Sequence, residues 1–332
     1  MSAHRMTARM RSAVALLIVA VTATAVGCGS STADEAADTG TREVATAKGT
    51  VTVPADPQRV VVLNGALAGY LYDLDAKVQA ADPRILGLTL NPGEFPPAWA
   101  ADAEEQGTEA VPSGDDLNLE FIAAQRPDLI IGGGPGWPGQ QTIKNYDKLT
   151  AIAPTALVPS DAANWQDQLK AVADFVNRPE QVDGMITAYS DKVAQVKAGL
   201  KLPQGAAAVW QSQADAKPIL LAPNTPLAGL LSDVGITMDE QIEAKAGNPS
   251  RAEAGDWVTF SPELISTVVD APVLFVLQLD GGRDIAALKQ DPAMAMLPAF
   301  QQNQVYKLPA TAKRPDYREA MATLDLLAGY FK

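Results

Sequence analysis

The stretch from Asn177 to Lys201 constrains this 332-residue chain more than any other. Val182, Met185, Ile186, Tyr189, Val193, Val196 and Leu200 recur at gaps of three and four, which is one face of an α-helix. Pro179 suits the first turn, and Glu180 and Asp183 oppose the N-terminal dipole. Lys192, Lys197 and Lys201 lie towards the other end, where Leu202-Pro203-Gln204-Gly205 stops the pattern. About 22 residues at 1.5 Å each span roughly 33 Å. That is long for a crossover within one sheet and suits a rigid strut between two lobes. The segments before and after it both alternate apolar runs with helical periods, which predicts mainly parallel sheets and an α/β fold in each lobe.

The boundaries read as a leader at 1–27, a flexible tether at 28–48, a first lobe at 49–160, a helical connector at 161–202 and a second lobe at 203–332. The leader has three arginines, no acids and an apolar run from Ala13 to Val26, as in a secretory signal. Ala25-Val26-Gly27-Cys28 resembles a bacterial lipoprotein cleavage box, which makes Cys28 the expected lipidation site and first mature residue. Residues 29–48 are small and polar, with no apolar period.

Several chemistries are excluded by what is missing. The one histidine, His4, lies in the leader, so the mature chain has no imidazole for a Ser-His-Asp triad or a His-built metal site. The one cysteine is Cys28, so there is neither a disulfide nor a Cys metal site. Losing the leader's arginines takes the formal net charge from −13 to −16, which repels nucleic acid.

In parallel sheets ligands bind beyond the carboxyl ends of the strands, so those ends supply the candidates. In the first lobe they are Asn64 with Tyr70 after the apolar run Val60–Leu63, Arg84 after the second strand, and Trp137 after the third. The loop Gly132-Gly133-Gly134-Pro135-Gly136-Trp137 lacks the Lys-Ser/Thr of a nucleotide cradle and reads as a tight turn or a close backbone approach. The second lobe offers Trp210 and Asn224, then Arg251 and Trp257 in a loop, then Gln278 with Arg283. Last comes Lys313-Arg314 with Tyr317, of which Arg314 and Tyr317 are taken as candidates. Rings and guanidiniums suit a bulky, flat or anionic ligand.

Three segments carry a family resemblance over about residues 49–332. "VTVPADPQRVVVLN" (51–64), "LNLEFIAAQRPDLIIGG" (117–133) and "DWVTFSPELISTVVDAPVLFVL" (256–277) resemble the siderophore- and vitamin B12-binding proteins of bacterial ABC importers. The resemblance implies a class III periplasmic-binding-protein-like fold, with the ligand between two lobes that tilt only slightly on binding. It implies that Glu120 and Glu263 meet arginines on an ABC permease. It also implies that Trp257 faces the pocket, as in the B12-binding branch, and Trp137 takes the place of a second tryptophan.

With no histidine, a free zinc or manganese ion is disfavoured. The expected cargo is a ferric siderophore, whose iron needs no protein ligand. Hydroxamate is the favoured chelator, with citrate, catecholate and mycobactin-like chelators left open. Arg84, Arg251, Arg283 and Arg314 are the candidate cations for the chelator oxygens. Neither a cofactor nor an enzymatic activity is expected, and a monomer on the outer face of the cell membrane is. Cobalamin or haem on the same fold is the alternative, and a carboxylate-based secreted hydrolase the more distant one.

Overall fold

Three consecutive valines with no solvent exposure set the centre of the first sheet, because a strand buried on both faces must be covered on both. The computed structural model describes residues 40–112, 114–160, 162, 164–215, 217–247, 249 and 256–332. The leader, Cys28 and Arg251 lie outside the described residues.

The first strands, β1 (Thr41–Thr46) and β2 (Gly49–Pro54), form an antiparallel hairpin with Val44 opposite Val51. The expected tether is therefore too long by this strand. Alternation of exposed and buried residues along Thr41–Thr46 is weak in sequence, and pairing with β2 supplies the order.

The first lobe continues with β3 (Val60–Val62), β4 (Val78–Ala81), β5 (Glu109–Ala110), β6 (Leu129–Gly133) and β7 (Thr155–Val158). All pairings are parallel and the order is β5-β4-β3-β6-β7. The chain reverses direction across the sheet between β3 and β6. That switch point is where open α/β sheets leave a crevice.

The second lobe holds β8 (Ala207–Ser212), β9 (Ile219–Leu221), β10 (Trp257–Thr259), β11 (Val273–Gln278) and β12 (Val305–Pro309), in the order β10-β9-β8-β11-β12. Here β8, β11 and β12 are parallel, whereas β9 and β10 are antiparallel additions, so this sheet is mixed. Trp257, expected in a loop, opens edge strand β10 opposite Leu221. Three residues are too few for a periodic signal.

The strut is present as a 3₁₀ turn, Pro179–Gln181, followed by an α-helix, Val182–Gly199. Its 18 α-helical residues span roughly 27 Å. Val182, Tyr189 and Val196 are buried, with Met185, Ile186 and Val193 packed beside them, so the apolar stripe faces inward as its spacing requires. Tyr189 ties both lobes. Its ring meets Trp165 edge-on at 5.1 Å, and its hydroxyl donates to Asp233 Oδ2 at 2.9 Å.

The closing helix, Tyr317–Tyr330, belongs to the second lobe in sequence but not in packing. It lies beside the connecting helix, with Asp325 paired to Lys192. At its start Arg318 donates to Asp73 Oδ1 at 2.7 Å, to Asp102 Oδ2 at 2.6 Å and to the Ala98 carbonyl at 2.9 Å, all in the first lobe. At its far end Phe331 meets Phe275 and Tyr306 of the second sheet edge-on. One apolar core runs through both lobes along these two helices.

Candidate functional site

Asn64 sits at the carboxyl end of β3 and organises the crevice. Its Oδ1 accepts from the Ala66 backbone and caps the helix Gly65–Asp73, while Nδ2 donates to the carbonyls of Gly133 at 2.8 Å and Pro135 at 3.1 Å. The glycine loop is thereby pinned to β3. Gly133 has φ +73°, and a Cβ there would stand 2.4 Å from the Val158 carbonyl oxygen, so only glycine fits. Gly136 then starts a helix, Gly136–Lys144, and projects Trp137 into the open with 57% of its surface exposed. The glycines and prolines of its first turn hide its helical period in the sequence.

A cleft of about 510 Å³ opens between the lobes, within the roughly 300–1,000 Å³ usual for small-molecule sites. The first lobe contributes Asn64, Arg84, Leu86, Trp137 and Gln140, and the second contributes Trp257, Thr311, Lys313 and Arg314. Arg84 is fixed by its own turn: Nε donates to Asp82 Oδ1 at 2.9 Å, Nη2 to Gln141 Oε1 at 2.6 Å and Nη1 to the Gly114 carbonyl at 2.9 Å. Across the cleft, Arg314 donates through Nη2 to Asp256 Oδ2 at 2.6 Å and through Nε to the same oxygen at 3.1 Å. Each guanidinium is held by a buried aspartate and lines the cavity.

Lys313 completes the floor. It is 2% exposed, donates to Gln211 Oε1 at 2.8 Å and stands 3.6 Å from Asp256 Oδ2. Its ammonium lies 4.0 Å from the centroid of the Trp257 ring. Burial pushes it down to about 8, Asp256 pulls it back up and Arg314 adds to the fall. Sequence reasoning noted Lys313 beside Arg314 and Gln211 beside Trp210 but carried neither forward, and it passed over Asp256. The signal for Gln211 was period 2 in β8: Trp210 points to one face of the sheet and Gln211 to the other.

Of the expected ligand-binding residues, Asn64, Arg84, Trp137, Trp257 and Arg314 come together at this cleft. The others do not. Tyr70 is fully buried in the core, with its hydroxyl towards Gln168. Trp210 is also core, because it lies inside β8 with two strand residues still to follow. Tyr317 packs its ring on Trp165 at 5.5 Å, at the junction of the helices. Arg283 pairs with Asp291 at 3.0 Å, and Gln278 donates to the Gly282 carbonyl, closing its own turn. Asn224 follows β9 and is not among the cleft-lining residues. Being near a strand end is a one-dimensional criterion, and it does not say which ends face the other lobe. Glu120 and Glu263 are exposed in the first turns of their helices, one in each lobe. Among the described residues no group of three or more His, Cys, Asp or Glu is placed to hold a metal ion, and no helix is long and apolar enough to cross a membrane.

Comparison with known proteins fits this architecture. A crystal structure of holo-ViuP superposes with a TM-score of 0.73 at 24% identity, covering 87% of this chain and 95% of that one. Staphylococcus aureus SirA complexed with staphyloferrin B superposes with a TM-score of 0.69 at 21% identity, covering 88% and 99%. At these identities the likeness is one of fold. In sequence the chain is 28% identical over 292 residues to FepB of Escherichia coli O6:H1, a ferric enterobactin-binding periplasmic protein, covering 87% of this chain and 91% of that one. It is 29% identical over 208 residues to the iron(3+)-hydroxamate-binding protein FhuD of Bacillus subtilis, covering 62% and 60%. The model of the periplasmic binding protein family matches residues 60–312, and the chain belongs to that family.

Proposed function

We propose that this protein captures a ferric siderophore in the cleft between its lobes and delivers it to an ABC permease. The observation that carries the reading is the meeting of Arg84 and Arg314, one from each lobe, with Trp137 and Trp257 around one cavity. Guanidiniums supply charge and hydrogen bonds to chelator oxygens, and the indoles supply stacking surface. An iron already wrapped in its chelator makes no demand for protein ligands, which suits a chain whose one histidine is His4. FepB and FhuD, named for ferric enterobactin and iron-hydroxamate binding, support the same class of cargo.

The protein acts as a binding component rather than an enzyme, as a monomer outside the cytoplasm, anchored by lipid on Cys28. Glu120 and Glu263, exposed on the two lobes, dock on permease arginines. The test is tryptophan fluorescence titrated with ferric hydroxamate, citrate, catecholate and mycobactin-like chelates, with haem, cobalamin, zinc and manganese alongside. Quenching by a ferric chelate at submicromolar concentration is expected. Silence across all four chelates, or tighter binding of haem or cobalamin, overturns the assignment. Glu120→Ala with Glu263→Ala should abolish uptake in cells while leaving chelate affinity unchanged.

A further inference from the structure

The floor of the cleft carries a charge imbalance. Arg314 and Lys313 share a single carboxylate, Asp256, whose Oδ2 stands 2.6 Å from Arg314 and 3.6 Å from Lys313. The remaining partner of Lys313 is neutral, the amide of Gln211. On the first-lobe side Arg84 and Asp82 cancel. Among the described residues this leaves one net positive charge, shared between Lys313, which is 2% exposed, and the partly exposed Arg314. A buried cation without its own counter-ion is costly, and an anion entering the cleft relieves that cost.

The same ammonium covers one face of Trp257. Trp257 is half-buried and lines the cavity, so the part of the ring that a ligand can reach is the part Lys313 leaves uncovered. A ring with a cation against one face is polarised and attracts an electron-rich aromatic on the other. Rotation of the indole is restrained as well, which makes it a pre-set platform.

We propose that Lys313 is the specificity-determining residue of the cleft, positioning and polarising Trp257 and supplying the uncompensated charge, so that the site selects anionic aryl chelates of the ferric catecholate type over neutral ferric hydroxamates. The proposal rests on the siderophore reading above and departs from the hydroxamate expected from sequence. Lys313 acts in two separable ways. Its charge favours any anionic chelate, while its hold on Trp257 favours only those with rings.

The purified protein, Lys313→Met, Lys313→Arg and Trp257→Leu are titrated with three probes: a ferric tris-catecholate (anionic, aryl), ferric citrate (anionic, no ring) and a ferric trihydroxamate (neutral, no ring). Circular dichroism and thermal melting confirm folding. Lys313→Met should weaken the catecholate and citrate roughly tenfold or more, as expected for losing a charged hydrogen-bonding partner, and the hydroxamate less than about threefold. Lys313→Arg should restore the anionic probes, and Trp257→Leu should weaken the catecholate alone. Equal weakening of all three probes by Lys313→Met, or none, overturns the inference and leaves the siderophore reading standing. If Lys313→Met does not fold, a wild-type protein that binds the hydroxamate as tightly as the catecholate overturns it. Wild-type protein that binds none of the probes overturns the inference, and silence towards a mycobactin-like ferric chelate as well overturns both.

Discussion

Arg318 Nε donates to Asp73 Oδ1 at 2.7 Å and so fastens the last helix of the chain to the first helix of the opposite lobe. Together with the connecting helix this makes two ties between the lobes, and two ties resist the wide rotation that one hinge would allow. Removing the guanidinium leaves Asp73 and Asp102 facing each other without a cation. Arg318→Met should cost about 2 kcal/mol of stability, less than a fully buried pair because Arg318 keeps some exposure. Urea unfolding measures it, and a stability equal to wild type would refute the tie.

Asp316, two residues earlier, titrates in the physiological range. Burial above all, with the charges of Glu319 and Asp73, raises its carboxyl to about 7 from an ordinary 3.8 against the opposing pull of the Glu319 backbone N–H and Arg318. The folded protein thus prefers the protonated acid. Its contribution to stability is complete below about 3.8 and disappears as pH climbs to about 7, remaining absent above. Asp316→Asn keeps an oxygen to cap the closing helix and removes the titration. Relative to wild type, the variant should gain stability between about pH 4 and pH 7 and then hold level. Parallel stability curves across that window would contradict the assignment.

Lys313 makes binding pH-dependent in the same range. Its ammonium is held near 8 by burial, facing Asp256, the Arg314 guanidinium and the neutral Gln211 amide. An anionic chelate favours the charged form, so affinity should be constant below about pH 7 and fall by roughly tenfold as pH rises through 8. Titrations with a chelate whose own charge is constant over that range measure the slope. In Lys313→Met the slope should vanish.

Gly133 tests how the first lobe presents its tryptophan. An added Cβ meets the Val158 carbonyl at 2.4 Å, in a left-handed backbone that alanine disfavours. Gly133→Ala should destabilise the fold by roughly 2–4 kcal/mol and, by moving the loop that leads to Trp137, weaken chelate binding. An alanine variant with wild-type melting temperature would show that the strand can shift.

Periodicity by itself determined the two-lobe plan. Three-and-four spacing from Val182 to Leu200 required a long amphipathic helix, and unbroken apolar runs such as Val60–Leu63 required buried strands. Both are local properties of the chain. Composition likewise determined what the site cannot use, since the sequence has no imidazole after His4. Which strand ends face each other was decided only in three dimensions. Trp210 lies as near to a strand end as Arg84 does, yet sheet order and side-chain alternation turn the first into the core and the second into the cleft. Lys313 is the sharpest case: adjacent in sequence to Arg314, it acquires its character from Trp257, Gln211 and Asp256, which are 56, 102 and 57 positions away and meet it only because β8, β10 and β12 share one sheet. Burial, charge pairing and pKa are properties of such assemblies, and no stretch of chain contains them.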